Sequence, residues 1–111
     1  MLFELARRAR DQRLQLVSLS FGGYSPFGMQ VAADAVAALQ AAGTVVVASA
    51  GNDATCVPSY PAALPEVVSV GALEAGGRPA SYTNYGSWVR ACTRETDVVS
   101  LFFDGFNGAG T

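Results

Sequence analysis

The sequence predicts an α/β fold: a mostly parallel sheet flanked by helices in three layers. Three observations predict it. Short apolar runs alternate with helical stripes along the 111 residues. The first two strand candidates are separated by a helix-length crossover of the kind a parallel pair requires. The second of them, residues 44–49, is dominated by β-branched side chains, as a strand buried on both faces would be. The length sets a ceiling of one domain with a modest core, so residues 1–111 read as a single unit.

The elements follow in order. Leu2, Leu5, Ala6 and Ala9 form a stripe at helical spacing over residues 2–12, with Glu and Arg opposite. Arg7, Arg8, Arg10 and Arg13 fall on the polar side and read as a solvated face. Residues 15–20 read as a strand, broken by Gly22-Gly23. Ser25 followed by Pro26 is a helix cap and first helical position. Val31, Ala35, Ala38, Leu39 and Ala42 then mark one helical face, and Gly43 is placed to end it in a left-handed conformation. Strand 44–49 is closed by Gly51-Asn52-Asp53. A loop holding Pro58, Pro61 and Pro65 leads to a strand at 66–71. Further short strands are expected at 88–92 and 97–103.

Composition excludes several function classes. The chain has no His, and its seven basic residues are all Arg. No Ser-His-Asp triad, no imidazole zinc site and no proton switch near neutral pH can be built from it alone. With two Cys, a four-thiolate site is excluded, so no metal and no cofactor is expected. Cys56 and Cys92 could pair in an oxidising compartment or stay as buried thiols. A formal net charge of −2 argues against a nucleic-acid partner. No apolar run approaches the roughly 20 residues that span a bilayer, so no membrane segment is expected. The opening residues carry charge where a secretion signal needs an apolar stretch. The loop 21–28 lacks the spacing of a dinucleotide-binding glycine motif.

Three stretches carry a family resemblance. Val17-Ser18-Leu19-Ser20-Phe21-Gly22-Gly23 resembles the strand and Ser-Leu-Gly-Gly segment of subtilisin-like serine proteases. Val45-Val46-Val47-Ala48-Ser49-Ala50-Gly51-Asn52 resembles the strand leading to their Ala-Gly-Asn. Ser59-Tyr60-Pro61-Ala62, followed by Val67-Val68-Ser69-Val70-Gly71-Ala72, resembles their Tyr-Pro loop and next strand. The three stand in the right order, with a matching helix between the first two. The resemblance covers about residues 14 to 103 and implies a partial subtilisin-like domain.

The resemblance also implies roles. Ser20, Phe21, Gly22 and Gly23 would pair with an extended peptide or protein substrate as an added strand does. Ser49, Ala50 and Gly51 would form one wall of the primary specificity pocket, and Ser59 would sit near its base. Asn52 would donate its side-chain amide to the oxyanion of the tetrahedral intermediate, a task suited to a neutral donor that cannot lose its proton. The Tyr60-Pro61 bond would be cis.

The family's catalytic Asp and His would lie upstream of these blocks and its Ser downstream in Gly-Thr-Ser. Gly110-Thr111 is either the start of that motif or the end of a plain turn led by Asn107-Gly108. The chain alone is therefore expected to be inactive. Arg90 stands where some relatives place a cation-holding Asp, so no metal is expected there, and the family's Pro-Gly turn is missing after it. Asp97 and Asp104 read as turn or surface acids. The other reading is a non-catalytic peptide-binding or interaction module, with self-association through exposed sheet edges. Only the family, mostly secreted or envelope-associated, speaks to location.

Overall fold

In a computed structural model, which describes residues 2–94, 98–102 and 105–110, the chain runs through two helices and six strands. These are α1 (Leu2–Gln12), β1 (Leu16–Leu19), α2 (Pro26–Ala41), β2 (Val45–Ser49), β3 (Val68–Leu73), β4 (Ala91–Arg94), β5 (Val98–Phe102) and β6 (Gly105–Gly110). Strands β1 to β4 form one parallel sheet in sequence order. Strands β5 and β6 form an antiparallel pair with a register shift between Ser100 and Leu101.

Helix α2 begins as its sequence predicts. Ser25 caps it, its hydroxyl accepting from the Gly28 N–H, and Pro26 opens the first turn. Gly43 ends it at φ +83°, the region where a β-carbon is costly. Its inward face is Ala32, Ala35, Val36 and Leu39. Val31, expected inside, is 37% exposed. This helix is apolar around most of its circumference, so spacing alone admits two neighbouring stripes and packing selects one.

On α1, the arginines lie in solvent as expected. Arg7 bonds Glu4 and Asp11, and Arg8 bonds Glu4. Those hydrogen bonds, Arg7 first and then Arg8, hold the Glu4 carboxyl at about 2.

The core lies on one side of the sheet. Ala6 and Ala9 from α1 and Ala32, Val36 and Leu39 from α2 pack on Val17, Leu19, Val46 and Ala48, with Ala62, Leu64 and Val67 closing the cluster. The opposite face carries Leu16, Val45 and Val68, which are 61%, 51% and 37% exposed. The α/β parallel-sheet class holds, and the described residues supply two of the three expected layers. Strand β2 is accordingly buried on one face and not on both: its inward Val46 and Ala48 are covered, and Val45 on the other face is open.

Two strands start two or more residues later than expected. Strand β3 starts at Val68 because turn hydrogen bonds Leu64 N–H to Pro61 and Val67 N–H to Leu64 occupy the preceding residues. Strand β4 starts at Ala91 because the Val89 N–H closes a turn on Gly86. Trp88 therefore lies in that turn, its indole N–H donating to the Cys56 carbonyl, and its own carbonyl accepts from the Ser69 hydroxyl. Asn107 and Gly108 lie within β6, so the plain-turn reading does not hold there. Asp97, Asp104 and Thr111 lie outside the described residues. Cys56 and Cys92 are neither paired nor buried: both thiols are free and exposed.

This one-sided core makes a stability prediction. Leu39→Ala should cost about 2–5 kcal/mol, because Leu39 is fully enclosed. Val45→Ala on the open face should cost at most about 1 kcal/mol. Urea unfolding of both variants checks this. A Val45 cost matching that of Leu39 would place a second covered layer over that face.

Candidate active site

Parallel register brings two loops together. Leu19 pairs with Ala48, so β1 and β2 end at the same level. Ser20-Phe21-Gly22 and Ala50-Gly51-Asn52 therefore emerge side by side, beyond the carboxyl ends where open parallel sheets place their ligands. The Ala50 N–H continues onto the Val70 carbonyl and keeps that loop in line with β3.

The third wall comes from the Tyr-Pro loop. Gly23 and Tyr60 exchange two backbone hydrogen bonds, at 3.0 and 2.8 Å. Both polar backbone groups of Gly23 are thus satisfied within the chain, and among the described residues the free part of this segment is Ser20 to Gly22. Ser59 is buried beneath it. A β-carbon on Gly22 would lie 2.6 Å from the Ser59 Oγ and 3.3 Å from the Tyr60 carbonyl oxygen. The glycine is needed there for packing inside the chain. The Tyr60-Pro61 bond is cis.

These segments enclose a cavity of about 220 Å³. Ser20, Phe21, Gly22, Ser49, Gly51, Asn52 and Ser59 line it, so the geometry gathers seven of the nine predicted residues. Ala50 is buried behind the wall, and Gly23 lines a neighbouring apolar groove with Phe27, Val31 and Pro61. Asn52 is exposed, and among the described residues its side chain makes no hydrogen bond. It also borders a larger cavity of about 460 Å³ on the open sheet face, with Ser18, Val47, Val70 and Thr93. Its amide is therefore free to donate to something entering from either side.

Sequence reasoning missed three residues that shape this site: Tyr24, Asp53 and Asn84. Asn84 is buried at 1% exposure and uses its whole carboxamide. Its Oδ1 accepts from the Asp53 N–H at 2.9 Å and the Thr55 N–H at 3.3 Å. Its Nδ2 donates to the Ala50 carbonyl and the Tyr24 hydroxyl, both at 2.9 Å. The loop carrying Asn52 is thus held on both sides. The Tyr24 hydroxyl donates to Asp53 Oδ2, and that bond, followed by burial, pushes the phenol above its ordinary value. No spacing rule links positions so far apart in the chain; the one local hint was the turn-forming Asn84-Tyr85-Gly86.

Gly51 is fixed by the same packing. It sits at φ +108°, and an added β-carbon would lie 2.5 Å from Asn84 Nδ2. The departure at Arg90 has a structural outcome: its guanidinium donates to the Pro65 carbonyl at 2.7 Å.

A parallel α/β sheet with this cleft at its carboxyl ends defines the class of fold, and comparison with known proteins defines the family. The Subtilase family profile matches residues 3–107, and the chain belongs to that family. It is 36% identical over 95 residues to thermitase from Thermoactinomyces vulgaris, covering 85% of this chain and 33% of thermitase. It is 43% identical over 58 residues to a thermophilic serine proteinase of Bacillus sp. (strain AK1), covering 52% of this chain and 14% of that protein. The chain thus spans a third or less of the length of these relatives. Among solved structures, the protease domain of PatA matches with TM-score 0.81 and 27% identity, over 98% of this chain and 43% of that one. The prenylagaramide maturation protease PagA shares the fold, with TM-score 0.82 and 22% identity over 99% of this chain and 43% of that one.

Gly51→Ala should destabilise the chain by at least about 1–3 kcal/mol, since it adds backbone strain and displaces the Asn84 carboxamide. Denaturant unfolding measures it. Unchanged stability would mean the loop conformation is not dictated by this packing.

Proposed function

We propose that this chain is the substrate-facing part of a subtilisin-like serine endopeptidase domain, whose reaction is peptide-bond hydrolysis by acyl transfer. The observation that carries the reading is the meeting of Ser20–Gly22, Ser49–Asn52 and Ser59 around one cavity at the carboxyl ends of parallel strands. Ser20 to Gly22 would receive an extended peptide along their backbone. Ser49, Gly51 and Ser59 leave room for one substrate side chain, with Ala50 filling the wall behind them. Asn52, exposed at the cavity edge, would donate to the oxyanion that forms when the scissile carbonyl is attacked.

Attack itself needs a nucleophile and a base. The chain has no His, so no imidazole of its own can take the nucleophile's proton. We therefore infer that the chain alone binds peptide without turning it over. Oxyanion stabilisation without attack gives only the small residual catalysis left when a triad is removed.

The test has two arms. A fluorogenic peptide should show no turnover by the 111-residue chain; turnover abolished by a serine-directed inhibitor would overturn the inactivity. In NMR titration, an extended peptide should shift the amide signals of Ser20, Phe21, Gly22 and Asn52 but not those of α1. The same peptide ending in a phosphonate, a tetrahedral anion that needs no nucleophile from the protein, should bind more tightly. Asn52→Ala should weaken the phosphonate by about tenfold and by more than it weakens the parent peptide. Equal losses would remove Asn52 from the oxyanion role.

A further inference from the structure

We propose that Tyr24, Asp53 and Asn84 latch the two walls of the cavity together, making Tyr24 a positioning residue that sets the cavity's width and, through Asp53, the aim of Asn52. This rests on the peptide-cleft reading and deepens it by naming what fixes side-chain selection.

Tyr24 directly follows the glycine pair on one wall. Asp53 directly follows Asn52 on the other. The Tyr24 hydroxyl donates to Asp53 Oδ2 at 2.5 Å and accepts from Asn84 Nδ2 at 2.9 Å. A phenol bonded in both senses cannot swing without losing one bond. Its bond to a carboxylate is charge-assisted, which makes it the stronger kind. Among the described residues, no other side-chain hydrogen bond runs directly between segment 20–24 and loop 49–55.

The three members differ in freedom. Asn84 is enclosed, and all its polar capacity is spent on Ala50, Asp53, Thr55 and Tyr24. It is the fixed base. Tyr24 is 41% exposed and lies at the cavity mouth, so it is the part that can open. A cavity whose walls are tied discriminates substrate side chains by size, because neither wall can yield to a larger group or close on a smaller one. Untied walls lose that discrimination while the fold remains. The raised Tyr24 phenol is consistent with a bond that persists at neutral pH.

The experiment uses the 111-residue chain and extended peptides differing only in the residue that enters the cavity, Leu or Ala. Affinities come from NMR titration, and the Tyr24 phenol is titrated by its ring signals. The wild-type phenol should titrate above ordinary tyrosine. Tyr24→Phe keeps the ring and should narrow the Leu-to-Ala affinity ratio by about threefold to tenfold, with amide signals away from the cavity unmoved. Asp53→Ala should narrow it similarly. Asp53→Asn, which still accepts from the phenol, should restore the ratio. A ratio unchanged in both Tyr24→Phe and Asp53→Ala overturns the latch, as does a wild-type phenol that titrates like free tyrosine. A wild-type chain that binds no peptide, yet keeps its high phenol, overturns the cleft reading itself and this inference with it.

Discussion

The site depends on one constraint: parallel pairing of β1 and β2 with Leu19 opposite Ala48. Because side chains alternate along a strand, a slip of one residue would exchange the buried and open faces of β1. It would also offset the two loops by one residue at the cavity. Register is therefore set twice by the same residues. Val17, Leu19, Val46 and Ala48 must face the helices, and that requirement places Ser20 and Ser49 at the rim. Core packing on one side thus delivers cleft geometry at the end. Alanines on α1 and α2 let the two helices pack closely on each other, and α2 in turn lies against β2, since small side chains shorten the distance between packed elements.

The outcome is a sheet with unequal faces. One is covered by both helices; the other exposes Leu16, Val45 and Val68. The β-branched composition of β2 suits burial on both sides, and the described residues satisfy half of it. Asn52 stands at the junction of the covered half, where its loop is anchored, and the open half, where the larger cavity lies. A donor anchored from one side and accessible from the other suits the oxyanion role proposed for Asn52, because such a donor must be fixed beforehand and not already bonded.

Much of this was legible in the residues. Alternating stripes and runs gave both helices and the first three parallel strands, and Ser25, Pro26 and Gly43 marked the ends of α2 through rules that act over a few residues. Gly51-Asn52 could be placed past a strand end for the same reason. What stayed hidden is non-local. The stripe on α2 was ambiguous because Val31 and Val36 are equally apolar, and only the position of the sheet decides between them. The start of β4 depends on a turn between Gly86 and Val89 that no propensity marks strongly. Asn84 lies 34 positions from the Ala50 carbonyl it binds and 60 from Tyr24, and a buried carboxamide shows no periodicity.

That hidden part explains how the loop around Asn52 keeps its shape. A loop such as 50–55 would ordinarily satisfy its polar backbone groups with water, at the cost of mobility. Here a single buried carboxamide takes the Ala50 carbonyl and the Asp53 and Thr55 N–H groups together. Each bond alone contributes about 1 kcal/mol. Removing the shared partner leaves all three groups unsatisfied at once, which costs more than the sum of three exposed bonds. Position 51 takes glycine because that carboxamide occupies the space a β-carbon would need. Gly51 and Asn84 are therefore one structural decision made at two distant positions, and the free amide of Asn52 is its product.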